Sequence, residues 1–321
     1  MAEIEVKNLK KYFKRIKKGK GLVESFKSLV TPKYEVIKAV DDISFNITKG
    51  EIVAFLGPNG AGKTTTLKIL TGIIYPTSGE VSVMGSVPFK RQSDFQKKIS
   101  IVMGQKNQLW WDLPAIDTFE LHKEIYEIKD NEYNQRLKRL TDLLNANEFL
   151  TTQVKKLSLG QRMKCELIAS LIHNPEVIFL DEPTIGLDIH TQIAVRKFLK
   201  EYNKETNCTI MLTSHNMGDV KEMCKRAIII DHGHKVFDGG LNELVNKYVS
   251  TKNLKVTFEE EIRSDELKQY GDLLSYKENE AILSVPIKTH TKIASEILTK
   301  YKVGNIDIEE VSLEEVITKI Y

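Results

Sequence analysis

The sequence predicts an α/β protein: a doubly wound, mostly parallel sheet followed by a smaller α+β unit. Three observations carry this. Short apolar runs that read as buried strands alternate with helical patterns up to residue 231. One run, Val177-Ile178-Phe179-Leu180, is uninterrupted and ends in Asp181-Glu182, which suits a central strand covered on both faces. Beyond about Tyr248 the pattern becomes strand, helix, strand, strand, helix, strand, the order of a ferredoxin-like plait. These set expected domains at 1–248 and 249–321.

Taken in order, Glu3 to Leu9 alternates as an edge-like strand, and Val40 to Ile47 reads as a second one. Between them lies a basic insertion, about 14–38. Leu22, Val23, Phe26, Leu29 and Val30 recur there at helical spacing and Pro32 ends the pattern, so an amphipathic helix is expected over 20–31. Glu51–Leu56 is a buried strand, Val81–Gly85 a strand and turn, and Ile99–Met103 a strand. Residues 117–173 are largely helical, forming an inserted helical subdomain of about 105–173. Helix 189–204, strand 208–213, helix 217–224 and strand 226–231 complete the alternation. The second unit is read as strand 253–259, helix 264–270, strands 272–277 and 280–285, helix 290–301, strand 304–309 and helix 312–320.

The most informative stretch joins the strand 51–56 to the next helix: Gly57-Pro58-Asn59-Gly60-Ala61-Gly62-Lys63-Thr64-Thr65. It is a phosphate-binding loop by spacing and by its strand–loop–helix context. The glycines let backbone N–H groups turn toward one point, and the helix N-terminus adds about half a positive charge. Lys63 can reach the outer phosphates, and the Thr64 hydroxyl can ligate Mg²⁺.

Composition limits the rest. No apolar run approaches the ~20 residues that span a bilayer, and Met1–Val6 lacks the basic-then-apolar order of a signal peptide. Cys165, Cys208 and Cys224 are isolated, as in a reduced compartment, with no zinc-ligand spacing. A net charge of +3 does not by itself imply nucleic acid. The basic residues are nonetheless crowded between Lys7 and Lys38, opposed only by Glu24 and Glu35. That stretch fits either a solvated loop or a contact with an anionic membrane surface.

Other chemistry-bearing residues are weaker signals one by one. Asp181 and Glu182 close a strand, where one acid can hold Mg²⁺ through water and the other face an attacking water; two acids in a turn can also simply cap a helix. Pro183 to Asp188 adds a tight turn and a third acid. Ser158 and Gly160 open an apolar-periodic helix, where they could meet an anion or form an ordinary N-cap. Gln105 follows a strand, His215 ends one in Leu212-Thr213-Ser214-His215, and Tyr12 follows the first strand. Each of these three has a bland reading as a surface or core residue.

Together these motifs resemble the nucleotide-binding domain of ABC transporters, over residues 1 to about 245. The family's elements occur in its order: Walker A (Gly57–Thr65), the Q-loop (Gln105), the signature (Leu157–Gln161), Walker B with its glutamate (Ile178–Glu182), the D-loop (Gly186-Leu187-Asp188) and the H-loop (His215). Leu159 departs from the usual glycine of the signature, while Ser158 and Gly160 are kept. The resemblance is to drug-exporter-type subunits that pair with a separate permease. The insertion between Tyr12 and Val40 is a second departure, and leaves open whether Tyr12 or Tyr34 stacks on adenine.

The resemblance implies an ATPase whose two copies sandwich ATP and Mg²⁺. In each copy Lys63 and the loop amides would hold phosphate. Thr64, Asp181 and Gln105 would hold the metal, Glu182 would direct water, and His215 would hold the γ-phosphate. Ser158, Gly160 and Gln161 would close on the other copy's nucleotide, with Asp188 linking the sites. It also implies a place at the cytoplasmic side of the cell membrane, on an integral-membrane permease, with no nucleic-acid partner. Trp110, Trp111 and Leu113, beside the Q-loop, are candidate permease contacts that could equally pack inside the helical subdomain. The competing reading is a soluble ABC ATPase acting on ribosomes or nucleic acid. Ribosome-acting relatives usually carry two such domains and DNA-repair relatives a long coiled coil; this chain has one motif set and no sustained heptads.

Overall fold

The computed structural model describes residues 2–16, 34–104, 108–248, 250–318 and 320. The helix expected over 20–31 and Gln105 lie outside the described residues. The chain divides into two compact units, Met1–Gly239 and Gly240–Tyr321. The boundary therefore precedes the expected one at Tyr248. Helix Leu241–Tyr248 packs against helix Leu313–Thr318 in the second unit, which accounts for the difference.

In the first unit, β1 (Ala2–Ile16) pairs antiparallel with β2 (Tyr34–Thr48) and with β4 (Ser78–Val83). A second, six-stranded sheet has the order β5-β6-β7-β3-β8-β9. Its members are β3 (Ile52–Leu56), β5 (Ile99–Met103), β6 (Val177–Asp181), β7 (Thr209–Thr213), β8 (Arg226–Asp231) and β9 (His234–Gly240). Pairing is parallel from β5 through β8. Val53, Phe55, Val177, Phe179 and Met211 share one buried cluster with Ile4, Val6, Ile43, Phe45 and Ile47 of the antiparallel sheet. Their neighbours Ala54, Ile178, Leu180, Ile210 and Leu212 are buried as well. This is why these strands read as unbroken apolar runs rather than alternating ones.

Two strand features were not legible. β9 has only Phe237 buried, so it carries no period-2 pattern. The β1–β2 hairpin runs on past the expected strands until Ile16 faces Tyr34. In that outer arm Phe13, Ile16, Tyr34, Val36 and Ile37 are all exposed, so no buried face exists to set an alternation.

The helical subdomain holds helices Ala115–Ile125, Asp130–Leu144 and Leu159–Leu171. A half-buried histidine pair lies where it meets the sheet. The His122 ring N–H donates to the Ala169 carbonyl at 2.9 Å, and the His173 Nε2–H donates to the Ile99 carbonyl at 3.1 Å. Tyr126 stacks on His173, with ring centroids 4.0 Å apart. His173 Nδ1 is buried without a hydrogen-bond partner among the described residues. Burial lowers the His173 pKa to about 4, helped by His122 and Arg136 nearby, and burial lowers that of His122. The His173 ring is thus neutral in the fold near pH 7. A histidine whose folded pKa lies below its unfolded value adds stability above about pH 6.5, and loses it as the pH falls toward 4. The expected loss for His173 is about 3 kcal/mol. Unfolding of wild type and His173→Phe, compared at each pH from 7 to 4, should show the stability difference shifting toward the variant as the pH falls; a constant difference would remove His173 from the acid response.

The second unit contains β10 (Thr251–Phe258), β11 (Asp272–Lys277), β12 (Glu280–Pro286) and β13 (Val303–Glu309), with helices Ser264–Leu267 and His290–Lys300. The sheet is antiparallel in the order β11-β12-β10-β13, the ferredoxin-like arrangement. Leu254, Val256, Phe258, Leu283 and Val285 face its core with Ile297. Among the described residues no helix is long and apolar enough to cross a membrane.

Candidate active site

A cleft of about 610 Å³ opens at the carboxyl ends of β3, β6 and β7, where ligands of open α/β sheets bind. Of the expected residues, Pro58, Asn59, Gly60, Gly62, Lys63, Thr64, Thr65, Asp181, Glu182 and His215 line it. Gly57 and Ala61 shape the loop behind them. A Cβ on Gly57 would lie 2.4 Å from the Ile230 carbonyl oxygen. Gly62 has φ +108° and leaves no room beside the Ala39 carbonyl, so the turn into helix Lys63–Leu70 requires glycine.

Lys63 is 7% exposed, and its ammonium donates to the carbonyls of Gly57 at 2.5 Å and Pro58 at 3.2 Å. Burial lowers its pKa, against the pull of Glu182 and Asp181. The charge is therefore held inside the loop, where a phosphate would meet it with little competing water.

Asp181 stands between two hydroxyls. Thr64 Oγ1 donates to its Oδ2 at 2.8 Å and Thr213 Oγ1 to its Oδ1 at 2.7 Å. Thr213 also accepts the Glu182 N–H at 3.1 Å. Sequence reasoning missed Thr213; its signal is a polar residue closing an apolar strand two positions before His215.

Glu182 has φ +57°, a strained value for a residue with a Cβ. Its Oε2 accepts the His215 backbone N–H at 3.1 Å. Among the described residues its Oε1 is buried with no hydrogen-bond donor, 3.5 Å from His215 Nε2. That Nε2 lies 3.1 Å from Asn59 Oδ1, which links His215 back to the phosphate loop.

The remaining expected residues among those described do not line this cleft. Tyr12 donates its hydroxyl to Asp41, and the Lys38 ammonium lies 5.5 Å from its ring centre. Tyr34 is exposed in the outer hairpin. Ser158, Gly160, Gln161 and Asp188 form a separate group. Ser158 and Gln161 make a reciprocal capping box, with bonds of 3.0 and 3.2 Å. Asp188 caps helix Ile189–Thr206 through the Thr191 N–H at 3.0 Å and hydroxyl at 2.6 Å, bonds that lower its pKa. A Cβ on Gly160 would lie 2.9 Å from Thr191 Oγ1, so the two caps abut. Leu159 is partly exposed and reaches over Gly186. Sequence reasoning also missed Glu166, which is 4% exposed on the Ser158-capped helix and accepts the Gln108 N–H at 3.0 and 3.1 Å. Trp110 and Trp111 are exposed, with the Arg162 guanidinium 5.2 Å from the Trp111 ring centre.

The cleft thus offers a caged cation, a hydroxyl–carboxylate pair and a carboxylate with one free buried oxygen. Comparisons with known proteins agree with it. Residues 40–185 match the ABC transporter family model, and residues 250–309 match the EvrA-like ABC transporter C-terminal domain. The chain is 32% identical over 212 residues to the ABC transporter ATP-binding protein NatA of Bacillus subtilis, spanning 66% of this chain and 86% of the relative. It is 28% identical over 283 residues to the linearmycin resistance ATP-binding protein LnrL of the same organism, spanning 86% and 89%. A dimeric, post-hydrolysis structure of the ATP-binding cassette MJ0796 with ADP and Pi superposes with a TM-score of 0.62 at 25% identity, covering 74% of this chain and 98% of that one. The chain belongs to the ABC transporter family, as an ATP-binding and ATP-hydrolysing subunit.

Proposed function

We propose that this chain drives export through a separate integral-membrane permease, working as a homodimer at the cytoplasmic side of the cell membrane. The name of LnrL and the length of its match favour export, because 283 aligned residues must extend beyond the first unit into the second.

The observation that carries hydrolysis is the free, buried Oε1 of Glu182. A buried acceptor without a donor is costly. A water ordered by Oε1 would relieve that cost and be set for attack on the γ-phosphate. Glu182 then orients the water or takes its proton, while His215 holds the γ-phosphate. Lys63 and the loop amides hold the other phosphate oxygens, and this positioning with charge neutralisation is what phosphoryl transfer needs.

Among the described residues no group of three His, Cys, Asp or Glu side chains converges. Mg²⁺ beside a nucleotide does not need one, since phosphates and waters fill most of its shell. The Thr64 hydroxyl and Asp181 carboxylate, already adjacent, are hard oxygen donors that fit it, with Gln105 as a third; bound there, the ion would neutralise phosphate charge. Ser158, Gly160 and Gln161 serve the second copy's nucleotide, and Asp188 links the two sites. Their separation from the cleft in one chain is what a shared site between copies requires. Stacking on adenine falls to Tyr12 or Tyr34. The basic outer hairpin, with Phe13, Ile16 and Ile37 exposed beside Lys11, Lys14 and Arg15, suits an anionic membrane surface.

The test is a mild-detergent pull-down of tagged Glu182→Gln from native membranes with Mg·ATP. A polytopic membrane protein should co-purify. Recovery only from the soluble fraction, alone or with ribosomes or nucleic acid, would leave the ATPase standing and overturn the transport assignment.

A further inference from the structure

Behind the cleft lies a polar joint that the chemistry above does not use. Asp219, in the first turn of helix Met217–Met223, is 0% exposed. A carboxylate is tolerated there only with its oxygens bonded. Oδ2 accepts the hydroxyls of Thr184 and, at 2.9 Å, of Ser214. Oδ1 accepts Arg196 Nε at 2.7 Å. The same guanidinium donates to Gln192 Oε1 at 3.0 Å, and the Gln192 amide donates to the Leu187 carbonyl at 3.0 Å.

Each end of this joint adjoins a site residue. Thr184 is two positions after Glu182, Ser214 immediately precedes His215, and Leu187 immediately precedes Asp188. The 182–188 segment, closed by its own turn bonds, and the His215 turn come from different parts of the chain and meet directly through Glu182 and His215. The joint adds a second tie behind that contact, and the 3.5 Å approach of His215 Nε2 to Glu182 Oε1 depends on both. We propose that Asp219 is a positioning residue for hydrolysis, holding the Glu182, His215 and Asp188 turns as one unit. The inference rests on the assignment of Glu182 and His215 to hydrolysis. Because the Asp188 turn belongs to the link between copies, the joint also carries a displacement at that link to the water-directing carboxylate.

Asp219→Asn keeps the size of the side chain but turns an amide toward Arg196 or toward the hydroxyls. It should lower kcat by about 10- to 100-fold, the scale of a misplacement of about 1 Å. KM for ATP should stay within about threefold, since no bond of the joint reaches the Lys63 loop. Turnover is counted per titrated nucleotide site, so that a misfolded fraction does not enter. In a His215→Ala background most of the loss should vanish, as groups acting as a unit are not additive. A purely structural Asp219 would give the same fold-loss in both backgrounds, and that result, or an unchanged kcat, overturns the proposal. If Asp219→Asn does not fold, Ser214→Ala removes one hydroxyl from the joint and must show the same split. Wild-type turnover in His215→Ala and Glu182→Gln would sink the site assignment itself; impairment there with a normal Asp219→Asn sinks only this inference.

Discussion

Glu182→Gln should bind Mg·ATP about as well as wild type and turn it over at least about 10²-fold more slowly, the usual worth of a positioned acid–base group. The substitution is close to isosteric. A glutamine can still accept the His215 N–H through one oxygen, and it inherits the same positive φ, so the turn should hold. What it loses is the anionic oxygen facing the cleft. Because ATP binding is kept and its consumption is not, the ATP-bound pair of copies should accumulate. Light scattering after size exclusion should show a dimer with Mg·ATP and a monomer without it. Undiminished turnover would remove Glu182 as the water-directing group.

Lys63→Ala should weaken nucleotide binding by about 10²-fold or more, about 2.7 kcal/mol. Charge-assisted bonds to phosphate are worth about 1.5–3 kcal/mol each, and this ammonium is already desolvated within the loop. Pro58 lines the cleft and its carbonyl can be hydrated, but the buried Gly57 carbonyl loses its donor, so a stability loss of about 1–3 kcal/mol should accompany the weaker binding. Calorimetric titration with ADP and with a non-hydrolysable ATP analogue checks this. A larger loss for the triphosphate would place the ammonium against the outer phosphates, whereas equal affinity to wild type would contradict the cage.

The strand–loop–helix at Gly57–Thr65, the buried run into Asp181 and the order of the second unit were all legible. In each, the physics acts between residues close in sequence: a turn that needs glycine, a strand buried on both faces, a change of period. What was not legible depends on residues far apart in the chain. β9 is a strand because β8 lies beside it, not because its own residues alternate. Helix Leu241–Tyr248 belongs to the second unit through a helix some seventy residues on. Thr213, Glu166 and Asp219 look ordinary until the sheet brings them to Asp181, Gln108 and Thr184. The Ser158 group was legible as a cap, but its distance from the cleft is visible only in three dimensions.

The three thiols have a practical consequence. Cys165, Cys208 and Cys224 are all buried, and burial raises each pKa, to about 12 for Cys165 and Cys208. Thiolate, not thiol, reacts with maleimides, so the folded native chain should take up almost no dye at neutral pH. A single cysteine placed on the exposed Trp110 or Ile189 position would then be the sole labelled point, without first stripping the core of sulfur. A fluorophore at residue 189 could report the closing of two copies in real time, and one at residue 110 the arrival of a membrane partner.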